Sequence, residues 1–307
     1  MKIVAATDGS ARALGAIRFA AWLGKCLHAG VEVVLVGDIA SAEVIPKKAR
    51  RTMEQEYRRW ASGALARAER ELRRAGVRGS SRYVEARRLE PIAEAITRAA
   101  SAERADLVVV GTHGRGAVGR ALLGSVARRL VHVCRRPLVV VPGPVAARRG
   151  ETLRLLVATD GSAGAAAAAR LAARLSRRAR SRVDVVTVST LQRDLAVGFS
   201  AAVLSFVPYA DLRESERRAG ERILKSAERV VKTRGRAVRT ERLEPRGSGP
   251  IADAIAARAR KGGAHLVAVG RSGRGAVADW ALGSVARRLL AVSRRPVLLA
   301  AVPRRTR

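Results

Sequence analysis

Cysteine is nearly missing from this chain of 307 residues. Cys26 and Cys134 are the only two, and neither has a near neighbour or a Cys-x-x-Cys partner. A disulfide framework or a thiolate zinc site is not expected. Each falls in a helical pattern, where a small buried thiol is the simpler reading. Aromatic residues are also scarce, 3% against 48% hydrophobic residues in all. The core must therefore be built from Val, Leu, Ile and Ala. No apolar run reaches the length of a bilayer span. The start, Met1-Lys2-Ile3-Val4-Ala5-Ala6-Thr7-Asp8, meets an acidic residue too early for a secretory signal. A cytoplasmic protein without a membrane span is the expectation.

Acidic residues are the third shortage. There are 26 of them against 60 basic residues, a formal net charge of +34. Such a field attracts nucleic acids, anionic membranes and phosphorylated metabolites. Two accounts stand side by side. One is functional, a nonspecific attraction to nucleic acid or another polyanion. The other is compositional, since Arg, Ala, Gly and Val share GC-rich codons. The second covers the preference for Arg better than it covers the lack of Asp and Glu.

Glycine is plentiful, and its placement carries the argument. The apolar run Leu107-Val108-Val109-Val110 leads into Gly111-Thr112-His113-Gly114-Arg115-Gly116, followed by Gly124-Ser125. Near the other end stand Gly270-Arg271-Ser272-Gly273-Arg274-Gly275 and then Gly283-Ser284. In both copies two residues separate the first two glycines, and nine separate the second from the Gly-Ser pair. The duplication runs through the whole chain. Thr7-Asp8-Gly9-Ser10 returns as Thr159-Asp160-Gly161-Ser162, Leu89-Glu90-Pro91 as Leu243-Glu244-Pro245, and Gly124-Ser125-Val126-Ala127-Arg128-Arg129-Leu130 unchanged from Gly283. The offset grows from 152 to 159 between the Asp-Gly-Ser copies and the glycine loops. Arg246-Gly247-Ser248-Gly249 reads as part of a lengthened loop.

Each half alternates short apolar runs with helical patterns. In the first half the strands are expected at Ile3–Thr7, Val31–Val36, Ser81–Glu85, Asp106–Val110 and Leu138–Val141. The helices are expected at Ala11–Leu27, Pro46–Ala75, Pro91–Ala102 and Arg120–Cys134. Ser10 is a candidate N-cap. Ser81–Glu85 is more polar and suits an edge. Continuous apolar strands suit a sheet covered on both faces, and strand–helix alternation suits parallel pairing through right-handed crossovers. The expectation is an α/β fold: two five-stranded, doubly wound units, the first over residues 1–143, a linker over 144–152, the second over 153–307.

In such sheets ligands bind beyond the C-terminal strand ends, where the strand order reverses. Thr7 and Asp8 lie there in the first half, Thr159 and Asp160 in the second, and so do the glycine loops. Glycine backbone and helix N-termini can hold phosphate. Arg115 and Arg274 can add charge-assisted bonds, and Ser125 and Ser284 hydroxyl donors. Asp8 and Asp160 suit a ribose hydroxyl, an adenine amine or a metal; capping the first helix of each half fits equally. A tight turn without a ligand is the bland reading of the loops. A Walker A loop is excluded, for no Lys stands in the required place. His113 is Ser272 in the second copy and has no partner at a defined spacing, so it reads as a loop contact rather than a general base. Ser125 lacks the Gly-x-Ser-x-Gly elbow of a nucleophile. The four histidines have no metal-site spacing. No catalytic or metal-ligating residue is assigned.

The residues resemble the universal stress protein (UspA) family in its tandem two-domain form, over nearly the whole chain. Asp8-Gly9-Ser10, the Gly-x-x-Gly-nine-Gly-Ser signature in both halves and the Arg-Pro before each last strand carry the likeness. The resemblance implies Rossmann-like units of strand order 3-2-1-4-5, with the last strands pairing as an internal pseudo-dimer, and a homodimer as a further form. It implies ATP or a related adenine nucleotide as ligand, with or without Mg2+. Phosphate and ribose contacts then fall on Gly111, Gly114, Gly124 and Ser125, and on Gly270, Gly273, Gly283 and Ser284. Adenine and ribose contacts fall near Asp8 and Asp160, and at the second strand's end near Val36 and Val188. The implied role is a nucleotide-binding regulator in the stress response without efficient catalysis. A slow ATPase and a charge-driven nucleic-acid binder are the alternatives. The departures, the Arg246–Gly249 insertion and Asp279-Trp280, lie in the second half, which leaves the first half as the better-matched site.

Overall fold

A computed structural model describes residues 1–37, 47–112, 123–143, 150, 152–191, 208–232, 238–245, 249–273 and 282–300. The chain forms two compact units, Met1–Glu151 and Thr152–Arg307.

The first unit runs β1 (Lys2–Thr7), α1 (Ala11–Leu27), β2 (Gly30–Gly37), α2 (Lys47–Arg74), β3 (Gly79–Glu85), α3 (Ile92–Ala102), β4 (Leu107–Gly111), α4 (Ser125–Val133) and β5 (Leu138–Val141). Its strands lie in the order β3-β2-β1-β4-β5, every neighbour parallel. Chain order and spatial order part at β1, which is flanked by β2 on one side and β4 on the other. The polar strand β3 stands at the outer end of this order, as its composition suggested. Ile3, Val4, Ala5, Leu107, Val108 and Val109 are all fully buried, although successive residues point to opposite faces. Both faces are therefore covered, α1 supplying Ile17, Leu23 and Leu27, each fully buried. Burying a side chain of this size contributes about 1.5–3 kcal/mol. The few aromatics are placed for reach. Phe19 and Trp22 pack at 5.6 Å, and the Trp22 indole donates to the Gly150 carbonyl at 2.9 Å.

The second unit repeats the plan with β6 (Leu153–Ala158), α5 (Ala163–Arg178), β7 (Ser181–Val188), α6 (Tyr209–Val231), β8 (Val238–Leu243), α7 (Ile251–Lys261), β9 (Leu266–Gly270), α8 (Ser284–Val292) and β10 (Val297–Ala300). The order is β8-β7-β6-β9-β10, again parallel throughout.

Several residues singled out in the sequence have structural work. Arg129 pairs with Glu94 between α4 and α3, and Arg288 with Asp253 between α8 and α7, at 2.8–2.9 Å in the second pair. Glu90 of the first Leu-Glu-Pro accepts from the Arg98 guanidinium at 2.9 and 2.8 Å and from the Arg87 amide at 2.8 Å. Cys26 and Cys134 are both buried, as expected of small core thiols. One helix differs from expectation. Among the described residues α4 begins at Ser125, not near Arg120, because Gly124 is extended (φ −58°, ψ 157°) and holds the N-cap position. Among the described residues no helix is long and apolar enough to cross a membrane.

Candidate functional site

The C-terminal ends of the central strands build the site. After β1, the Thr7 hydroxyl oxygen accepts from the Gly9 amide at 3.1 Å. Asp8 Oδ1 accepts from the Ser10 amide at 3.0 Å and from its hydroxyl at 2.7 Å. Ser10 Oγ in turn accepts from the Ala13 amide at 3.2 Å. The second unit repeats these bonds: Thr159 to the Gly161 amide at 3.2 Å, Asp160 to the Ser162 amide at 3.0 Å, Ser162 to the Ala165 amide at 3.2 Å. The N-cap of each first helix is therefore serine, Ser10 and Ser162. The capping role considered for Asp8 and Asp160 is not theirs. Their carboxylates sit one step earlier and hold the turn that presents the serine. Gly9 and Gly161 occupy left-handed backbone, φ +76° and +80°, which an L side chain adopts only with strain.

The glycines after β9 serve a different need. None of Gly270, Gly273 and Gly283 has a positive φ. Close approach accounts for Gly270, where the neighbour is backbone, and bears on Gly273, where it is a carboxylate. A methyl on Gly283 would meet only ordinary contacts. A methyl on Gly270 would stand 2.5 Å from the Gly164 carbonyl carbon and 2.8 Å from the Ala165 amide nitrogen. One on Gly164 would collide with the Ser272 carbonyl oxygen. One on Gly273 would stand 2.9 Å from Asp160 Oδ2, and one on Gly283 3.4 Å from the Gly273 nitrogen. The loop is thereby drawn onto the N-terminus of α5 and onto Asp160. The Gly283 amide donates to the Arg271 carbonyl at 2.9 Å, as Gly124 does to Thr112 at 2.7 Å in the first unit.

Both α4 and α8 start without a side-chain cap and without an acidic residue in the first turn. Their leading amides point outward with the positive end of the helix dipole, an arrangement that favours an anion.

In the second unit these parts face a cleft of about 740 Å³. Asp160, Gly270, Gly273, Gly283, Ser284 and Val188 all line it, as does Thr159. All seven sequence-derived candidates of this half that the structure describes thus come together. Arg274 lies outside the described residues. The sequence reading missed four further kinds of wall: Val186 on β7, Ile223 on α6, Ile251 and Ile255 on α7, and the polar pair of Glu216 and Arg242. Only the last has a local signal, since Arg242 adjoins Leu243-Glu244-Pro245. Strand register matches Leu243 to Val84, so this segment is not the structural counterpart of Leu89-Glu90-Pro91. Glu216 accepts from the Ser189 hydroxyl and the Thr190 amide, both at 2.9 Å, and from Arg242 at 2.8 Å.

In the first unit Thr7, Asp8, Val36, Gly111, Gly124 and Ser125 occupy the equivalent strand and helix ends. Gly114, Arg115 and His113 lie outside the described residues. Here the space over the strand ends holds aromatic rings. Tyr57 and Trp60 of α2 lie 5.2 Å apart, and Tyr57 and Tyr83 of β3 6.0 Å. The Tyr57 hydroxyl donates to the Val36 carbonyl at 3.5 Å. Burial pushes the Tyr83 phenol up to about 12.

Among the described residues no group of three His, Cys, Asp or Glu is placed to hold a metal ion.

The model of the Universal stress protein family matches residues 1–142 and again residues 152–301. A universal stress protein of Mycolicibacterium smegmatis is 30% identical over 203 residues, 65% of this chain and 63% of the relative. One from Mycobacterium tuberculosis is 28% identical over 199 residues, 64% of this chain and 59% of the relative. These matches span less than two thirds of the mycobacterial proteins' own length. The crystal structure of a universal stress protein from Archaeoglobus fulgidus has the same fold, with a TM-score of 0.61 at 18% identity and 98% of each chain covered. With both of its halves matched in this way, the chain belongs to the universal stress protein family and carries the family's domain twice.

Proposed function

We propose that the chain is an adenine-nucleotide-binding regulator of the stress response, which holds ATP at the strand ends without turning it over efficiently. The observation that carries this reading is the composition of the second unit's cleft. Its volume, about 740 Å³, suits a ligand of nucleotide size. Its walls include the apolar side chains Val186, Val188, Ile251 and Ile255, which suit a flat base, and Gly283 and Ser284 at the uncapped start of α8, which suit phosphate. Asp160 also lines the cleft, and its carboxylate suits a ribose hydroxyl. In the first half Asp8, Val36, Gly111, Gly114, Arg115, Gly124 and Ser125 occupy the corresponding sequence positions, and Arg274 occupies that of Arg115 in the second. The turn amide bonds already made by Asp8 and Asp160 favour a binding carboxylate over one that activates water. Isothermal titration with ATP tests the reading. Micromolar binding that weakens at least tenfold in Gly273→Ala is expected. Binding unchanged by that substitution would remove the loop from the site, and no binding at all would overturn the reading.

A second reading, nonspecific attachment to nucleic acid, rests on α5. Apart from Ala163, every exposed residue of this helix is an arginine: Arg170, Arg174, Arg177 and Arg178. The spacing puts them on one stripe, and α5 contains no acidic residue. Fluorescence anisotropy of a labelled oligonucleotide should show binding that falls steeply with salt. Absence of binding at low salt would sink it.

A further inference from the structure

We propose that the two halves are unequal: nucleotide is held by the second unit alone, and the first unit's site is closed by its own Tyr57, Trp60 and Tyr83. The proposal rests on the nucleotide reading of the cleft given above.

Strand register fixes the first equivalence. Leu35 of β2 pairs with Tyr83, and Thr187 of β7 pairs with Arg242, so Tyr83 and Arg242 hold the same position. On the helices, Arg58-Arg59-Trp60-Ala61 matches Arg217-Arg218-Ala219-Gly220. The buried positions agree, Leu65 with Leu224, Ala68 with Ala227 and Leu72 with Val231. Tyr57 then corresponds to Glu216, and Trp60 to Ala219. Glu216, Ala219 and Arg242 all line the cleft of the second unit. Three cleft-wall positions are therefore aromatic in the first half and not in the second. In a chain with three Trp and three Tyr, one Trp and two Tyr gather at this place.

Their packing is that of a filler. A methyl on Gly9 would stand 2.6 and 2.8 Å from Trp60 Cζ2 and Cη2, so the indole lies directly on the turn after β1. A methyl on Gly37 would stand 2.7 Å from ring carbons of both Tyr57 and Tyr83, so these rings cover the end of β2. The carbonyl of Val36, a residue that the sequence placed near the adenine and ribose contacts, accepts from the Tyr57 hydroxyl. The ring planes are inclined at 47° and 64°, which leaves no parallel slot in which a base could stack. In the second unit the replacement is the reverse in kind. Glu216 is tied back to Ser189, Thr190 and Arg242, and Ala219 is a methyl group, so the space over β6 and β7 stays open.

The test is ATP stoichiometry by titration calorimetry on the full chain, with thermal melts as a folding control. The wild type should bind one nucleotide per chain. Ala219→Trp should reduce that binding at least tenfold while the melting temperature holds, since it rebuilds the closure in the second unit. Trp60→Ala should raise the stoichiometry toward two. Two nucleotides bound per wild-type chain would overturn the asymmetry and leave the nucleotide reading intact. Undiminished binding in a folded Ala219→Trp protein would also overturn it. No ATP binding by any of the three proteins would overturn the nucleotide reading and this inference together.

Discussion

A methyl group on Gly273 would stand 2.9 Å from Asp160 Oδ2. The second glycine of the repeated signature and the acidic residue after β6 are in contact, although they come from opposite ends of the same unit. The signature is thus a packing device between the loop, the α5 N-terminus and the β6 turn, whatever ligand it also serves. Steric consequences follow for each glycine.

Gly270→Ala should lower stability by about 1–3 kcal/mol, the range for forcing extra volume into a packed site. The clash is with the backbone of Gly164 and Ala165, which cannot swing away. Urea denaturation measures it. A change near zero would mean that the α5 N-terminus yields more easily than this contact implies.

Gly63→Ala should act in the opposite direction. Gly63 sits exposed inside α2, and a methyl there meets only the Arg67 guanidinium at 3.8 Å. Removing a glycine from a helix interior should stabilise the protein by about 0.5–1 kcal/mol. A rise in thermal midpoint is the readout, and a fall would contradict the helical placement.

Ser162→Ala should cost about 1 kcal/mol through loss of the α5 N-cap, and Ser10→Ala a similar amount through α1. Asp160→Asn keeps an acceptor for the Ser162 amide, so its stability should change less than that of Ser162→Ala. The order of the two denaturation midpoints checks whether serine or aspartate caps the helix.

Acid stability should depend on Glu90. The Arg98 guanidinium and the Arg87 amide hold its carboxyl at about 2, below the ordinary 4.5. A depressed carboxylate stabilises the fold fully above its unfolded value and progressively loses that contribution as the pH falls toward 2. Glu90→Gln should therefore be less stable than wild type at pH 7, with the difference shrinking between about pH 4.5 and 2. Parallel loss at every pH would show that the residue acts by packing instead.

Much of the fold was legible because its signals are local. Apolar runs bounded by glycine and proline marked the strands, and Ser10 before Ala11 marked the first helix. The exact repeat from Gly124 and Gly283 announced the duplication, and Arg129 with Arg288 shows why its arginines recur: each grips an acid on the preceding helix. The start of α4 was misplaced, since the helical composition continues back past Gly124 while the backbone does not. The aromatic closure left no local signal at all. Tyr57, Trp60 and Tyr83 are spread over two elements, and their shared target, the ends of β1 and β2, is set by the sheet.

Sequence alone determined the α/β class, the two copies and the rim residues, because hydrophobic period, turn chemistry and repetition are read along the chain. Only the tertiary structure decided that serine caps where aspartate might have, that Gly270 and Gly273 are glycine for closeness rather than for φ, and that one half presents an open cleft while aromatic rings cover the other. Those outcomes depend on which atoms meet across the fold, and distances between elements far apart in the chain are fixed only when the sheet assembles.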